Sequence, residues 1–317
     1  MRGHAFPLVT SMPAEIIRDG SLAGQIPDIP AFLRVTADVF AERGARLRAL
    51  APEHTLGPYL NFASSLSLAQ SAVLHSFPEL PLPEDHTLAH CREHGLPALS
   101  AYGHRRDPAW RRALSELISR LDKESLPAES ADVLKRVRSA GETQLEAAAA
   151  NLLAGIYAEL DAGETLFIAA ALQVYWVKLA LQLGACVTSP PAQIGLCPVC
   201  GSHPAASVVR IGGAQQGLRY LICSLCASEW HVVRIKCSGC GSTKGISYLG
   251  IEGVSEAIKA ECCDECKTYL KIFYLEKDTS MVPVADDLAS LTLDMLVDQE
   301  GYNRIGPNLL FLPGSGA

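Results

Sequence analysis

Eight cysteines in four C-x-x-C pairs limit the folds open to this chain more than any other feature of its sequence. A C-x-x-C turn aims two sulfurs at one point, and two such turns supply the four thiolates of a tetrahedral metal site. The same ligand set suits zinc, a single iron or an Fe–S cluster. The pairs are Cys197/Cys200, Cys223/Cys226, Cys237/Cys240 and Cys263/Cys266.

The four pairs form an internal repeat of 40 residues. Twenty-two residues separate the first pair from the second, and twenty-two separate the third pair from the fourth. The register extends beyond cysteine, because Gly201 and Ser202 correspond to Gly241 and Ser242. A fixed period of this kind predicts two tandem copies of one structural unit. The copies are residues 195–234 and 235–274.

Two pairings of the C-x-x-C motifs are compatible with this pattern. In local pairing each repeat forms its own site, which we favour because each repeat already contains a complete set of four thiolates. In the cross-braced alternative, the first pair joins the third and the second joins the fourth. Cys262 precedes Cys263 and could replace it as a ligand, but the 40-residue register favours Cys263.

The secondary-structure signals predict an α+β protein in which the metal-binding part follows a helical part. Apolar residues at helical spacing predict helices at 31–50, 59–77, 108–121, 129–155, 165–185 and 284–300. Short β-branched and aromatic runs predict strands after residue 196. We expect four segments: an all-α N-terminal helical domain at 1–186, two rubredoxin-like or zinc-ribbon-like β units at 187–234 and 235–278, and a C-terminal helical segment at 279–317.

Composition and charge restrict the function classes. Hydrophobic residues make up 49% and charged residues 19%, which is typical of a globular protein. The net charge of −7 provides no general attraction to nucleic acid. The two repeats contain eight Lys/Arg and six Asp/Glu, so their charge is near zero when both sites are filled with trivalent iron. We therefore expect no nucleic-acid partner.

One segment is long enough to span a membrane. However, Gln173, Lys178 and Gln182 interrupt the apolar run 165–185, and a lone lysine at its middle is unfavourable in lipid. The run therefore predicts a buried core helix and no membrane insertion. We therefore expect the protein to be cytoplasmic, and eleven cysteines in a cytoplasmic protein favour metal or redox chemistry over a disulfide framework.

Residues beside the motifs receive structural interpretations. Each predicted metal already has four sulfurs, so we do not expect His203 or His231 to be ligands. Trp230 and Tyr220 are expected to cover a metal site or the joint between domains.

The helical part contains further candidates. Lone cysteines on helices are usually small core residues, which we expect for Cys91 and Cys186. The His- and Arg-rich stretches "CREHG" (91–95) and "AYGHRRD" (101–107) are expected to be solvated loops.

The motif sequences resemble a known family, that of the formate dehydrogenase accessory protein FdhE. The stretches similar to its metal-binding part are "CPVCGSHP" (197–204), "GLRYLICSLCASEWHVVRIKCSGCG" (217–241) and "CDECKTYLKIFY" (263–274). "FAERGARLRALA" (40–51) and "LQVYW" (172–176) are similar to its N-terminal helical part. Residues 283–308, "PVADDLASLTLDMLVDQEGYNRIGPN", resemble its closing segment.

The resemblance implies a cytoplasmic, non-catalytic protein that helps to assemble respiratory formate dehydrogenases containing molybdenum or tungsten. It implies binding to the formate dehydrogenase catalytic subunit before twin-arginine export, and a homodimer is compatible with it. The implied metal is iron in two mononuclear rubredoxin-like sites, with zinc as the alternative. The implied ligands are Cys197, Cys200, Cys223, Cys226, Cys237, Cys240, Cys263 and Cys266.

Two other hypotheses follow from the thiolate sites themselves. Iron bound by four thiolates is compatible with two oxidation states, so the protein could transfer electrons or sense redox conditions. The motif pattern also permits a zinc-ribbon nucleic-acid binder, although the charge does not favour it.

Overall fold

The computed structural model describes residues 29–102, 106–121, 126, 128–184 and 193–312, and its architecture confirms the predicted α+β class. Helices in this part of the chain are α1 (Val39–Leu50), α2 (Gly57–Ser76), α3 (Asp85–His94), α4 (Ala109–Leu121), α5 (Ala128–Ser139), α6 (Glu142–Leu153), α7 (Ala162–Leu183), α8 (Pro283–Ala289) and α9 (Leu291–Gln299). Strands are β1 (Phe32–Leu33), β2 (Pro204–Val209), β3 (Arg219–Cys223), β4 (Glu229–His231), β5 (Ile246–Leu249), β6 (Ile258–Cys263), β7 (Thr268–Tyr274) and β8 (Asn303–Arg304).

Helix α7 lies at the centre of the helical body formed by α1 to α7. It is long and apolar enough to span a membrane by length and composition, and 78% of its most apolar window is buried inside the protein. Lys178 reaches the edge of the body and pairs with Glu79 at 2.7 Å. Gln182 accepts from the Leu80 N–H at 3.1 Å and donates to the Leu80 carbonyl at 3.0 Å. The polar residues of α7 are therefore satisfied within the body, as a core helix requires.

Helix boundaries differ from the predictions where local chemistry competes with apolar spacing. The helix predicted at 31–50 begins only at Val39, because Phe32 and Leu33 form a short strand with Trp230 and Glu229. The prediction of one helix at 129–155 was wrong, since the backbone of Gly141 is extended and separates α5 from α6.

Two further differences concern shorter helices. Helix α3 was not predicted, and the stretch "CREHG" that forms its end was expected to be a solvated loop. The residue after the helix is Gly95, whose φ of 61° is left-handed. The predicted C-terminal helix is divided at Ser290, whose hydroxyl donates to the carbonyl of Asp286 at 2.8 Å. Residues 1–28 of the predicted N-terminal domain, the predicted domain boundary between residues 186 and 187, and Cys186 lie outside the described residues.

The two repeats form equivalent three-stranded units that share one sheet. The strand order is β1-β4-β3-β2-β7-β6-β5, so β4-β3-β2 of the first unit corresponds to β7-β6-β5 of the second. All pairings within the units are antiparallel, whereas β2 and β7 pair in parallel, with Ser207 opposite Ile272. Backbone hydrogen bonds across this parallel pair therefore help to fix the orientation of the two metal-binding units.

A buried ionic network attaches α8 and α9 to the second unit. Lys271 on β7 lies 3.0 Å from Asp287 and 2.5 Å from Asp294. Arg304 on β8 contacts the same carboxylates at 2.7 and 2.8 Å. Burial alone raises the pKa of Asp287, but Arg304 and Lys271 outweigh burial and hold this pKa below its usual value. Two cations thus balance two carboxylates at this joint.

Candidate metal centres

The four C-x-x-C turns share one backbone shape. In the first and third turns, the N–H of the leading cysteine donates to the serine carbonyl five residues later, at 3.0 and 2.8 Å. In the second turn, Cys223 donates to Ser228 at 2.9 Å. The residue after the last cysteine has a left-handed φ of 53° to 75° in every turn. These residues are Gly201, Ala227, Gly241 and Lys267.

The structure groups the sulfurs within each repeat, as local pairing predicts. Cys197 and Cys226 sulfurs are 3.6 Å apart, and Cys200 and Cys223 sulfurs are 3.4 Å apart. In the second group both corresponding distances are 3.7 Å. All four sulfurs of each group lie within 4.8 Å of one another. This geometry contradicts the cross-braced pairing.

Each sulfur group fits one tetrahedral metal ion without rearrangement. Metal–sulfur bonds of 2.3 Å place the four sulfurs of a tetrahedron about 3.8 Å apart, close to the observed separations. The N–H groups of Leu225 and Cys226 both point at the Cys223 sulfur, at 3.4 Å. Gly239 and Cys240 do the same for Cys237, at 3.3 and 3.5 Å. Such N–H groups stabilise negative charge on the sulfurs, so each group of four sulfurs could hold a metal ion.

The first group is sealed against the helical body. Its four cysteines are at most 2% exposed and belong to the same apolar cluster as α7. The segment after α3 binds the first turn of the group, since Leu99 donates to the Val199 carbonyl at 2.7 Å and Ala101 to the Cys200 carbonyl at 2.8 Å. A metal here would therefore fix the two turns of the first β unit that pack against the helical body.

A buried polar chain connects α7 to the same site. Gln173 donates to the carbonyl of Ser224, inside the second C-x-x-C turn, at 2.7 Å. Its side-chain oxygen accepts from Gln70 at 3.0 Å and from Arg43 at 3.2 Å. Burial lowers the pKa of Arg43 to about 10, so the guanidinium remains charged near neutral pH. No carboxylate pairs with it among the described residues, and a site of four thiolates is an anionic neighbour that would favour this charge.

The second group is open on one side. Cys237 and Cys263 are buried, whereas Cys240 is exposed and Cys266 is partly exposed. Cys240 lines a cleft of about 280 Å³ together with Gly195, His203 and Gly239. Burial alone raises the pKa of Cys266, but the Thr268 hydroxyl at 3.0 Å and the neighbouring thiols lower it to about 7. Solvent can therefore reach the second site and not the first.

This difference predicts two rates of metal loss. In a protein loaded with two zinc ions, a chelator is expected to remove one ion rapidly and the other at least about tenfold more slowly. The slow ion is that of the sealed site, which becomes accessible only when the first unit separates from the helical body. Release is measured with a zinc-sensitive dye. Alkylation of Cys240, mapped by mass spectrometry, should accompany the fast phase. Equal rates, or first modification of Cys200, would contradict the assignment.

Arg219 links the two units through a buried fork of hydrogen bonds. Its guanidinium donates to Ser207 at 2.7 Å, to the Lys236 carbonyl at 3.1 Å and to Ser238 at 2.8 Å. It also pairs with Glu261 of the second unit at 2.7 Å. Lys236 and Ser238 flank Cys237, so one side chain positions the third C-x-x-C turn against both units.

Replacing Arg219 with lysine tests this role. Lysine keeps the charge for Glu261 but lacks the planar fork, so we expect a loss of about 1–3 kcal/mol in the free energy of unfolding, with both metals retained. Denaturant titration and elemental analysis measure the two effects. Arg234→Lys is the matched control, because Arg234 is exposed in the linker between the units. Equal stability of Arg219→Lys and the control would refute the positioning role.

The other residues considered beside the motifs have definite places in the structure. Trp230 is buried, as expected, and its indole N–H donates to the Ile194 carbonyl at 3.2 Å. Tyr220 is also buried and donates to the Pro30 carbonyl at 2.8 Å. Neither His203 nor His231 lies in a sulfur group. Cys262 belongs to a separate apolar cluster on the other face of β6.

Predictions for the helical part were less accurate. The prediction that Cys91 is a core residue was wrong, since it is partly exposed on α3. Arg106 is not a solvated loop residue, because it pairs with Glu146 at 3.0 Å. Sequence reasoning also missed Arg219 and Gln173 as contacts of the sites. The only signal for Arg219 was its correspondence to Lys259 in the repeat, and Gln173 was noted merely as an interruption of an apolar run.

The fold and the two sulfur groups define a class: an α+β protein in which a helical body carries two zinc-ribbon-like four-cysteine units. Family models match the chain in three consecutive segments: "FdhE, N-terminal" at residues 29–192, "FdhE, central domain" at 196–234, and "FdhE, C-terminal domain" at 235–311. The chain belongs to the FdhE family, which confirms the resemblance stated above.

Relatives and a solved structure support this membership over most of the chain. The "Protein FdhE homolog" of Edwardsiella ictaluri is 41% identical over 304 residues, which cover 95% of this chain and 98% of the relative. The "Protein FdhE" of Salmonella paratyphi B is 40% identical, covering 88% and 90%. The crystal structure of the FdhE protein from Pseudomonas aeruginosa is 41% identical with a TM-score of 0.81, covering 90% of this chain and all of that one.

Proposed function

We propose that this protein assists the biogenesis of a respiratory formate dehydrogenase by binding its catalytic subunit in the cytoplasm before twin-arginine export. One observation carries the proposal: the similarity to FdhE proteins extends over the helical body and both four-cysteine units together. Family membership supports the accessory role, and binding rather than turnover is the activity that we propose.

We further propose that each sulfur group holds one iron ion in a rubredoxin-like site, with zinc as the alternative. The donor chemistry and the sulfur separations support a mononuclear metal with four thiolates. Bound iron would supply a cross-link between the two turns of each unit. The ligands we propose are Cys197, Cys200, Cys223 and Cys226 for the first site, and Cys237, Cys240, Cys263 and Cys266 for the second.

The client surface that we propose lies at the joint between the helical body and the first unit. A cleft of about 130 Å³ opens there, lined among others by Tyr102, Tyr157, Leu225 and Pro307. Tyr102 is 60% exposed, and exposed tyrosines are frequent anchors in protein interfaces. The helical body, the first metal unit and the C-terminal segment all contribute to this cleft. The affinity for a client bound here would therefore depend on their relative position.

Affinity capture from cells blocked in twin-arginine export tests the proposal. We expect the tagged protein to recover the formate dehydrogenase catalytic subunit, and Tyr102→Asp to recover at least about tenfold less. Met295→Asp is the matched control, since Met295 is similarly exposed on α9, away from the cleft. Failure of the unaltered protein to recover any formate dehydrogenase catalytic subunit would refute the proposal.

Electron transfer is a second candidate, favoured by the exposure of Cys240 at the second site. Iron with a solvent-accessible thiolate ligand can exchange electrons with a partner. Anaerobically purified protein would then show reversible bleaching of its sulfur-to-iron absorption upon reduction. Zinc alone at both sites would exclude this function and leave the accessory role intact.

A further inference from the structure

Helix α3 carries two histidines one turn apart on its exposed surface. His90 and His94 are four residues apart, a spacing that places both side chains on one helical face. Their imidazole rings already meet, with centroids 4.4 Å apart and an interplanar angle of 61°. Both residues are exposed, and neither has a part in the function proposed above.

We propose that His90 and His94 form a surface site for a divalent transition-metal cation of the Co²⁺, Ni²⁺, Cu²⁺ and Zn²⁺ class. Neutral imidazole nitrogen is a preferred ligand for these ions, at metal–nitrogen distances of about 2.0–2.1 Å. The same spacing of two histidines on a helix binds zinc in the H-E-x-x-H motif. The helix already holds the two rings in contact before an ion binds, and water can complete the coordination.

His86 provides an internal comparison on the same helix. It precedes His90 by four residues and is 79% exposed, so spacing alone would include it in the site. However, its Nδ1 lies 3.2 Å from a carboxylate oxygen of Glu84, and its Nε2 lies 3.3 Å from the Thr87 hydroxyl. Both ring nitrogens of His86 therefore have partners, and the structure assigns the site to His90 and His94 alone.

The position of the pair gives the site a structural consequence. His94 is the last residue of α3, and the following segment binds the first C-x-x-C turn through Leu99 and Ala101, at 2.7 and 2.8 Å. A cation that bridges His90 and His94 would close the last turn of the helix. Binding should therefore stabilise the helix end from which this anchoring segment departs.

Calorimetric titration with Ni²⁺ tests the proposal. The protein must have no histidine tag, and both sulfur groups must be filled with zinc beforehand. We expect one Ni²⁺ per chain, with affinity reduced about tenfold or more in His90→Ala and in His94→Ala, because each variant leaves one imidazole. His86→Ala should bind Ni²⁺ as tightly as the unaltered protein. Hydrogen exchange should slow on Ni²⁺ addition at the end of α3.

Three results would overturn the proposal. The first is unchanged Ni²⁺ affinity in the double variant His90→Ala/His94→Ala. The second is an equal loss of affinity in His86→Ala, which would assign the ligands differently. The third is a fall in zinc content below two ions per chain, in proportion to the Ni²⁺ bound, which would place the nickel at the thiolates. None of these three results depends on whether affinity capture recovers a formate dehydrogenase catalytic subunit.

Discussion

Replacing Cys223 and Cys226 together with serine is expected to remove one metal ion per chain and to unfold the joint between the first unit and the helical body. The free energy of binding a structural metal to four thiolates is about 10 kcal/mol or more, comparable to the whole stability of a domain. Both cysteines are buried beside α7, so the variant would also place two hydroxyl groups in an apolar cluster. Elemental analysis measures the metal, and near-ultraviolet circular dichroism measures the packing.

The corresponding change in the second unit should be milder. Cys237→Ser/Cys240→Ser is also expected to lose one metal ion, but Cys240 is exposed and the cysteines of this site lie outside the apolar cluster that includes α7. Cys262→Ser is the matched control, because this residue adjoins Cys263 yet packs with Leu293 on the opposite face of β6. It should retain two metal ions. A double variant with full metal content, or a control that loses one ion, would show that the ligand assignment is wrong.

Replacing Lys271 with methionine is expected to lower the free energy of unfolding by about 3–5 kcal/mol, because it leaves carboxylates buried without one of their cations. Lys271 and Asp287 are both fully buried and hold α8 and α9 on the sheet. Asp287→Asn should destabilise the protein comparably, since it leaves Lys271 and Arg304 with one carboxylate between them. Chemical denaturation monitored by circular dichroism gives the free energies.

Lys277→Met is the control for this experiment. Lys277 pairs with Glu256 at 2.8 Å, but the pair is exposed on the surface, where solvent screens it. We expect little change in stability in this variant. Combining Lys271→Met with Asp287→Asn should cost less than the sum of the single changes, because the two residues contact each other. Full additivity would argue against a shared network.

The sequence was most informative where the chemistry is local. Two C-x-x-C turns in register specify a four-sulfur site because the spacing itself aims the sulfurs, and the 40-residue period predicted the equivalence of the two units. The core position of α7 also followed from its composition, since an apolar run with three polar interruptions is suited to a protein interior. These features depend on residues close together in the chain.

Features that depend on distant partners could not be predicted in this way. Phe32 and Leu33 have the apolar character of the helix that follows, and only pairing with β4 makes them a strand. Arg219 looked like an ordinary strand residue, since its contacts with Lys236, Ser238 and Glu261 exist only after two units share one sheet. The parallel pairing of β2 with β7 could not be predicted either, because the sequence of neither strand indicates which strand it pairs with.

The most direct measurement is membrane formate dehydrogenase activity in the protein's own host after deletion of the gene for this chain. Activity is measured as formate-dependent dye reduction, alongside the amount of catalytic subunit made. Loss of the activity is expected, with restoration by the unaltered gene and not by one encoding Cys223→Ser/Cys226→Ser. Full activity in the deletion strain, with the catalytic subunit exported normally, would contradict an accessory role in formate dehydrogenase biogenesis.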